Sequence, residues 1–227
     1  MAMENKPSKV MRPLLVRRGE ALPDNFMPMT DSEVLDIQNK RIKNFTPQSE
    51  MRIFQYSNHV FATTAAMSGY VINTIFRKNF RLGGLKLFFT YGASVLLPSV
   101  MTYAVHEMVM KPKILLGMQS CPTCLSVRTG AYQSAVGVCY PYVISLVTCL
   151  ATAREYYTLD IAATKQPMGY LRLLRHVSPS PKIIVALGIL NMLIGMEVSR
   201  REIQTYVKHL SKPPSLNTSD YENDAGQ

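Results

Sequence analysis

Apolar and polar positions follow two rhythms along this chain. Over residues 30–46, "TDSEVLDIQNKRIKNFT", Val34, Ile37, Ile42 and Phe45 recur at helical spacing, and Thr30 followed three residues on by Glu33 forms a capping box. That pattern predicts a short amphipathic helix lying on a membrane surface. Beyond it the periodicity gives way to long uncharged runs: 53–76, 87–105, 129–153 and 183–198. The first three are long enough to cross about 30 Å of hydrocarbon. The fourth is uncharged only from Ile183 to Met196, between Lys182 and Glu197, and spans if its flanks snorkel or the bilayer thins. The expected fold is all-α: a multi-pass bundle of four transmembrane helices preceded by an amphipathic helix. A buried helical bundle of a soluble protein is the competing reading. It would place polar residues at every turn of a solvent face, whereas His59 is the lone ionisable residue in the first three runs.

Between the first two runs stands "RKNFRLGGLK", where Gly83 and Gly84 supply the chain reversal. Residues 1–29 carry Pro7, Pro13, Pro23 and Pro28 and read as an irregular, disordered lead-in. Its early basic residues lean towards mitochondrial import, but the prolines argue against an amphipathic presequence, and no apolar core of a secretory signal is present there. After the fourth run, Val198, Ile203, Tyr206 and Leu210 continue the helical pattern as an amphipathic helix over 199–212, and 213–227 reads as a disordered polar tail.

Composition sharpens the picture. The 227 residues are 47% hydrophobic and carry a net charge of +10, with the basic residues at the margins of apolar runs rather than in a continuous stripe. A nucleic-acid surface is therefore not expected. Lys and Arg balance across the two sides of the expected spans, so charge leaves the orientation open.

Within the first run, Gln55, Asn58, His59, Ala62, Ala66, Gly69 and Asn73 fall on one helical face. Small residues let backbones approach and amides hydrogen-bond between helices, so this face is expected to pack on other helices. A proton or substrate path through His59 would need further intramembrane titratable groups, and none is near in sequence. Gly130, Ser134 and Gly137 repeat the theme in the third run, where Pro141 is expected to kink the helix, and Gly188, Asn191 and Gly195 repeat it in the fourth. Asn191 should bond across the bundle or to a partner, and Glu197 should meet Arg200 or Arg201. These residues are expected to form partner-binding, helix-packing surfaces; no catalytic set, cofactor site or metal site is expected.

Cys121 and Cys124 form a C-x-x-C pair. Zinc would need two more ligands, and Cys139 and Cys149 lie inside a run. A redox dithiol is chemically allowed by Arg128 four residues after Cys124, but no second cysteine pair completes the quinone-linked thiol oxidoreductase pattern. The expectation is a free or structurally paired couple that pins the loop, with a membrane thiol-disulfide oxidoreductase as the alternative and a small carrier or channel as a third reading.

Taken together, "NTIFRKNF" (73–80), Pro98, "CPTC" (121–124) followed by "RTG", "YP" at Tyr140 and Pro141, and "LATAREY" (150–156) resemble the transmembrane protein 126 family in order and spacing. The resemblance covers roughly 53–193, and "LATAREY" departs from the family's tighter run. It implies a multi-pass protein of the mitochondrial inner membrane, with both termini in the matrix. It also implies assistance to respiratory complex I assembly, with membrane-arm subunits, assembly intermediates and other assembly factors as partners beside the lipid bilayer.

Overall fold

A computed structural model describes residues 30–117, 121–158 and 175–210. The lead-in 1–29 and the tail 213–227 lie outside the described residues. Helix α1 occupies Asp31–Asn44 and opens on the capping box, with the backbone N–H of Thr30 donating to the Glu33 carboxylate at 2.8 Å. Helix α2 runs from Arg52 to Asn79, α3 from Leu87 to Leu115, α4 from Pro122 to Glu155 and α5 from Pro181 to Leu210. No strand occurs among the described residues.

Successive helices reverse direction. The α2–α3 reversal uses left-handed backbone at Arg81, Gly83 and Lys86. Arg77, 5% exposed, ties it down by donating to the carbonyls of Gly83 and Leu85 and to the Thr90 hydroxyl at 2.6 Å. At the opposite end, the start of α2 and the end of α5 come together where His209 meets Glu50 at 2.7 Å. Arg41 of α1 donates there to the Leu210 carbonyl at 3.2 Å. Both ends of the described chain therefore lie at the same end of the bundle. Ile42, Phe54, Ile114, Leu125 and Tyr206 form an apolar core at that end, and Ile72, Phe76, Phe80, Val138 and Ala153 form a second core at the other.

The polarity of the bundle is inverted relative to a soluble domain. Leu96, Val100, Val147 and Leu193 are 57–67% exposed, while Ser57, Asn73, Ser94, Ser145 and Glu202 are sealed inside. Large apolar side chains on the outside with polar ones within suit hydrocarbon surroundings. Three helices, α3, α4 and α5, are long and apolar enough to cross a membrane.

By length and apolar composition three helices, not the expected four, qualify as spans, and α2 runs beside them over the same length of the bundle. α2, at 28 residues, has the length, about 42 Å at 1.5 Å per residue, but not the apolar composition. It packs against α3, α4 and α5 through a face that mixes Phe54, Phe61, Ile72 and Phe76 with Ser57, Asn58, Ser68 and Asn73, and it exposes Gln55, His59, Thr63 and Thr74 on the other. The short fourth run is part of a helix of 30 residues, since α5 continues without a break through Glu197 to Leu210. The C-x-x-C lies at the start of α4 itself, and the kink expected at Pro141 takes the form of a widened turn, Ala135–Cys139, just ahead of it.

Such widened π turns, with hydrogen bonds reaching five residues rather than four, recur at Gly92–Leu96 and His106–Met110 in α3. Each precedes a proline by two residues: Pro98, Pro112 and Pro141. A proline has no N–H for the carbonyl four residues back and its ring crowds that carbonyl, and the wider turn relieves both problems.

Candidate functional site in the bundle interior and on the face of α2

Polar side chains thread the bundle between the two apolar cores. Near the α1 end, the imidazole of His106 on α3 bonds through Nδ1 to Asn58 Oδ1 on α2 and through Nε2, at 3.1 Å, to Glu202 Oε2 on α5. Glu202 is fully buried and its second oxygen, Oε1, has no hydrogen-bond partner. Asn58 Nδ2 donates at 2.6 Å to Glu107, which Lys111 also holds at 3.0 Å. The His106 ring lies against Phe61 with centroids 4.5 Å apart. Beside it, a void of about 10 Å³ lined by Phe61, Thr102, His106 and Gln133 has the size of a single water.

One level further along, Gln133 on α4 donates to the Phe61 carbonyl and the Thr64 hydroxyl, both at 3.0 Å, and reaches Asn191 Oδ1 on α5 at 3.4 Å. Asn191 Nδ2 donates to Ser68 Oγ on α2 at 2.8 Å. One amide cluster thus joins three helices. Next to it α4 and α5 make their closest approach: a Cβ on Gly195 would lie 2.9 Å from the Cα of Gly130, and one on Gly137 would lie 2.8 Å from Asn191 Oδ1. α2 and α3 do the same at Gly69, where a Cβ would fall 2.0 Å from the Ser94 carbonyl oxygen.

The sequence-predicted packing residues therefore divide. Asn58, Gly69, Asn73, Gly130, Gly137, Asn191 and Gly195 are buried and covered by the chain's own helices. Ala62, Ala66, Ser134 and Gly188 are half-buried at the margins. His59 is exposed, in edge contact with the Tyr103 ring at 6.1 Å. The buried face of α2 is the line Phe54, Asn58, Phe61, Ala65, Gly69, Ile72 and Phe76, rotated from the predicted stripe by less than one residue's turn. What remains outside is a second line, Gln55, His59, Thr63, Met67, Tyr70 and Thr74. Glu197 is met by both Arg200 at 2.9 Å and Arg201 at 2.8 Å.

Run lengths and small-residue spacing do not single out His106, Gln133 or Glu202. His106 closes the second uncharged run, and Glu202 falls in step with Val198, Tyr206 and Leu210. An acid in phase with buried apolar positions is the signal that finds it.

Cys121 and Cys124 stand at the α1 end of the bundle. Cys121 is the N-cap of α4, half-buried, and its Sγ accepts the backbone N–H of Cys124 at 3.2 Å. Cys124 is exposed, and all four cysteines are free thiols. The hydrogen bonds that Cys121 accepts from the Cys124 side chain and backbone hold its thiol below the usual cysteine range. Cys149 is buried against Asn73. Among the described residues no three His, Cys, Asp or Glu side chains are grouped to hold a metal ion.

Comparison with known proteins points one way. The family model described as Transmembrane protein 126 matches residues 32–215. A Drosophila melanogaster protein named Transmembrane protein 126 is 29% identical over 182 residues, covering 79% of each chain. No solved structure matches.

Proposed function

Because the chain belongs to the transmembrane protein 126 family, we propose that it serves as an assembly factor of the mitochondrial inner membrane. In this reading it holds hydrophobic membrane-arm subunits or intermediates of respiratory complex I through helix packing, without catalysis. The observation that carries the reading is the outer face of α2. α3, α4 and α5 turn apolar side chains outward, whereas α2 turns out Gln55, His59, Thr63, Tyr70 and Thr74, with Met67 among them, at steps of three and four residues. In hydrocarbon, amide, imidazole and hydroxyl groups favour another helix that can hydrogen-bond to them, each such contact contributing about 1 kcal/mol. A binding energy of that order per contact suits a partner that is held during assembly and then released. Both chain ends are placed in the matrix in this proposal.

The test is native electrophoresis with complexome profiling of mitochondria that lack the protein, restored with the wild type or with Gln55→Leu/His59→Leu/Thr63→Val. The expected result is comigration of the wild type with membrane-arm intermediates and selective loss of complex I in the null. The triple variant should be normally abundant but should not comigrate. Comigration with finished complex I would make the protein a subunit, and equal loss of all respiratory complexes would point to general membrane insertion instead.

A further inference from the structure

Cys121 and Cys124 stand together as free thiols at the start of α4. Cys121 occupies the N-cap of α4 with extended backbone, Pro122 follows at the first helical position, and Cys124 closes the first turn. This arrangement brings the second cysteine back over the first, as the 3.2 Å contact from the Cys124 N–H to Cys121 Sγ records. The unsatisfied N–H groups of a helix start favour an anion at that place, so a thiolate on Cys121 is stabilised by the fold itself. Exposed Arg128 follows one turn on. Cys124 is exposed and Cys121 half-buried, so the attacking sulfur is sheltered while a reagent can still reach it. Cys139 is a contrast: it is exposed too, but it lies within the apolar length of α4, among lipid-facing side chains.

We propose that Cys121 and Cys124 form a reversible dithiol–disulfide couple that exchanges with low-molecular-weight disulfides of the glutathione class. The Cys121 thiolate attacks one sulfur of the disulfide RS–SR, forming Cys121–S–S–R and expelling one RS⁻. The Cys124 thiol gives up its proton and attacks Cys121 Sγ, forming the Cys121–Cys124 bond and expelling the second RS⁻. Two electrons pass from the protein to the reagent, and the two protons lost by the cysteines end on the two released thiols. Excess reduced thiol runs the same steps backwards. The order is set by geometry: Cys121 holds the helix N-terminus and Cys124 is the resolving partner.

The inference is independent of the assembly role. It is tested on the full chain in lipid nanodiscs, equilibrated with mixtures of reduced and oxidised glutathione, quenched with acid, alkylated with a maleimide and read by intact and peptide mass spectrometry. The expected result is that two thiols disappear together as the oxidised form rises, map to Cys121 and Cys124, and return on reduction. Cys124→Ser should accumulate glutathione on Cys121. Cys121→Ser should react about tenfold more slowly and form no disulfide. Persistence of both thiols in excess oxidised glutathione overturns the proposal, as does first adduct formation on Cys124 or on Cys139. Should either serine variant fail to insert, the rate of iodoacetamide alkylation of Cys121 against Cys124 in the wild type decides the order.

Discussion

His106 and Glu202 meet at 3.1 Å across the α3–α5 interface, sealed from solvent, although 96 residues separate them in the chain. Removing one partner leaves the other buried without its bond, which costs more than the pair itself contributes. His106→Ala should lower stability by about 3–5 kcal/mol. Adding Glu202→Gln in that background should recover part of the loss, because a neutral amide is easier to leave in a dry interior. Unfolding titrations in detergent, arranged as a double-mutant cycle, read the coupling. Strictly additive losses would show that the two side chains do not act together.

Gly69 lies so close to the Ser94 carbonyl that a methyl group cannot be accommodated without moving backbone. Gly69→Ala should cost about 1–3 kcal/mol through overpacking and should lower the thermal midpoint of the purified protein. Gly92, on α3, has nothing within 4 Å of its Cβ position, so Gly92→Ala should be neutral or slightly stabilising. Equal effects of the two substitutions would mean that α2 and α3 are not packed as described.

The Thr30 backbone N–H, donated to Glu33, holds that carboxyl below the usual glutamate range. A group with a depressed folded pKa stabilises the native state above its unfolded pKa, and this contribution vanishes as pH falls through the folded value. The start of α1 should therefore loosen on acidification from about pH 5 to about pH 3, the lower part of the carboxylate range. Amide hydrogen exchange of Val34 and Leu35, corrected for intrinsic rates, reads it, and Glu33→Gln should flatten the profile. An unchanged profile in that variant would assign the loosening to another carboxylate.

The helical architecture was legible because long uncharged runs and the capping box are local signals. Gly69, Gly130 and Gly195 sit where the chain's own helices come closest. What the run lengths concealed was the division of labour among helices. α2 has the length of a span and an uncharged stretch, but its neighbours cover one face and leave a polar one open, and that arises from tertiary packing rather than periodicity. The His106–Glu202 pair was hidden for a related reason. Each residue stands beyond the edge of an uncharged run, and the runs end earlier than the helices do, so charged positions still inside the bundle read as boundaries.

The prolines set the azimuth of the helical segments beyond them. A helix turns about 100° per residue, and a π turn takes up roughly one residue more within the same stretch of axis. α3, with its two widened turns ahead of Pro98 and Pro112, is in effect three short rods sharing an axis, each indexed separately. The first aims Thr90 at α2, the turn after it sets Ser94 against Gly69, the second rod buries Thr102, and His106 and Met110 open and close the turn ahead of the third. Were Pro98 an alanine, Gly92–Leu96 would be free to wind as ordinary helix, and everything beyond would swing by about the width of one residue. His106 would turn away from Glu202, which would then face an empty position. The bundle's registration is thus written in its imino acids as much as in its core.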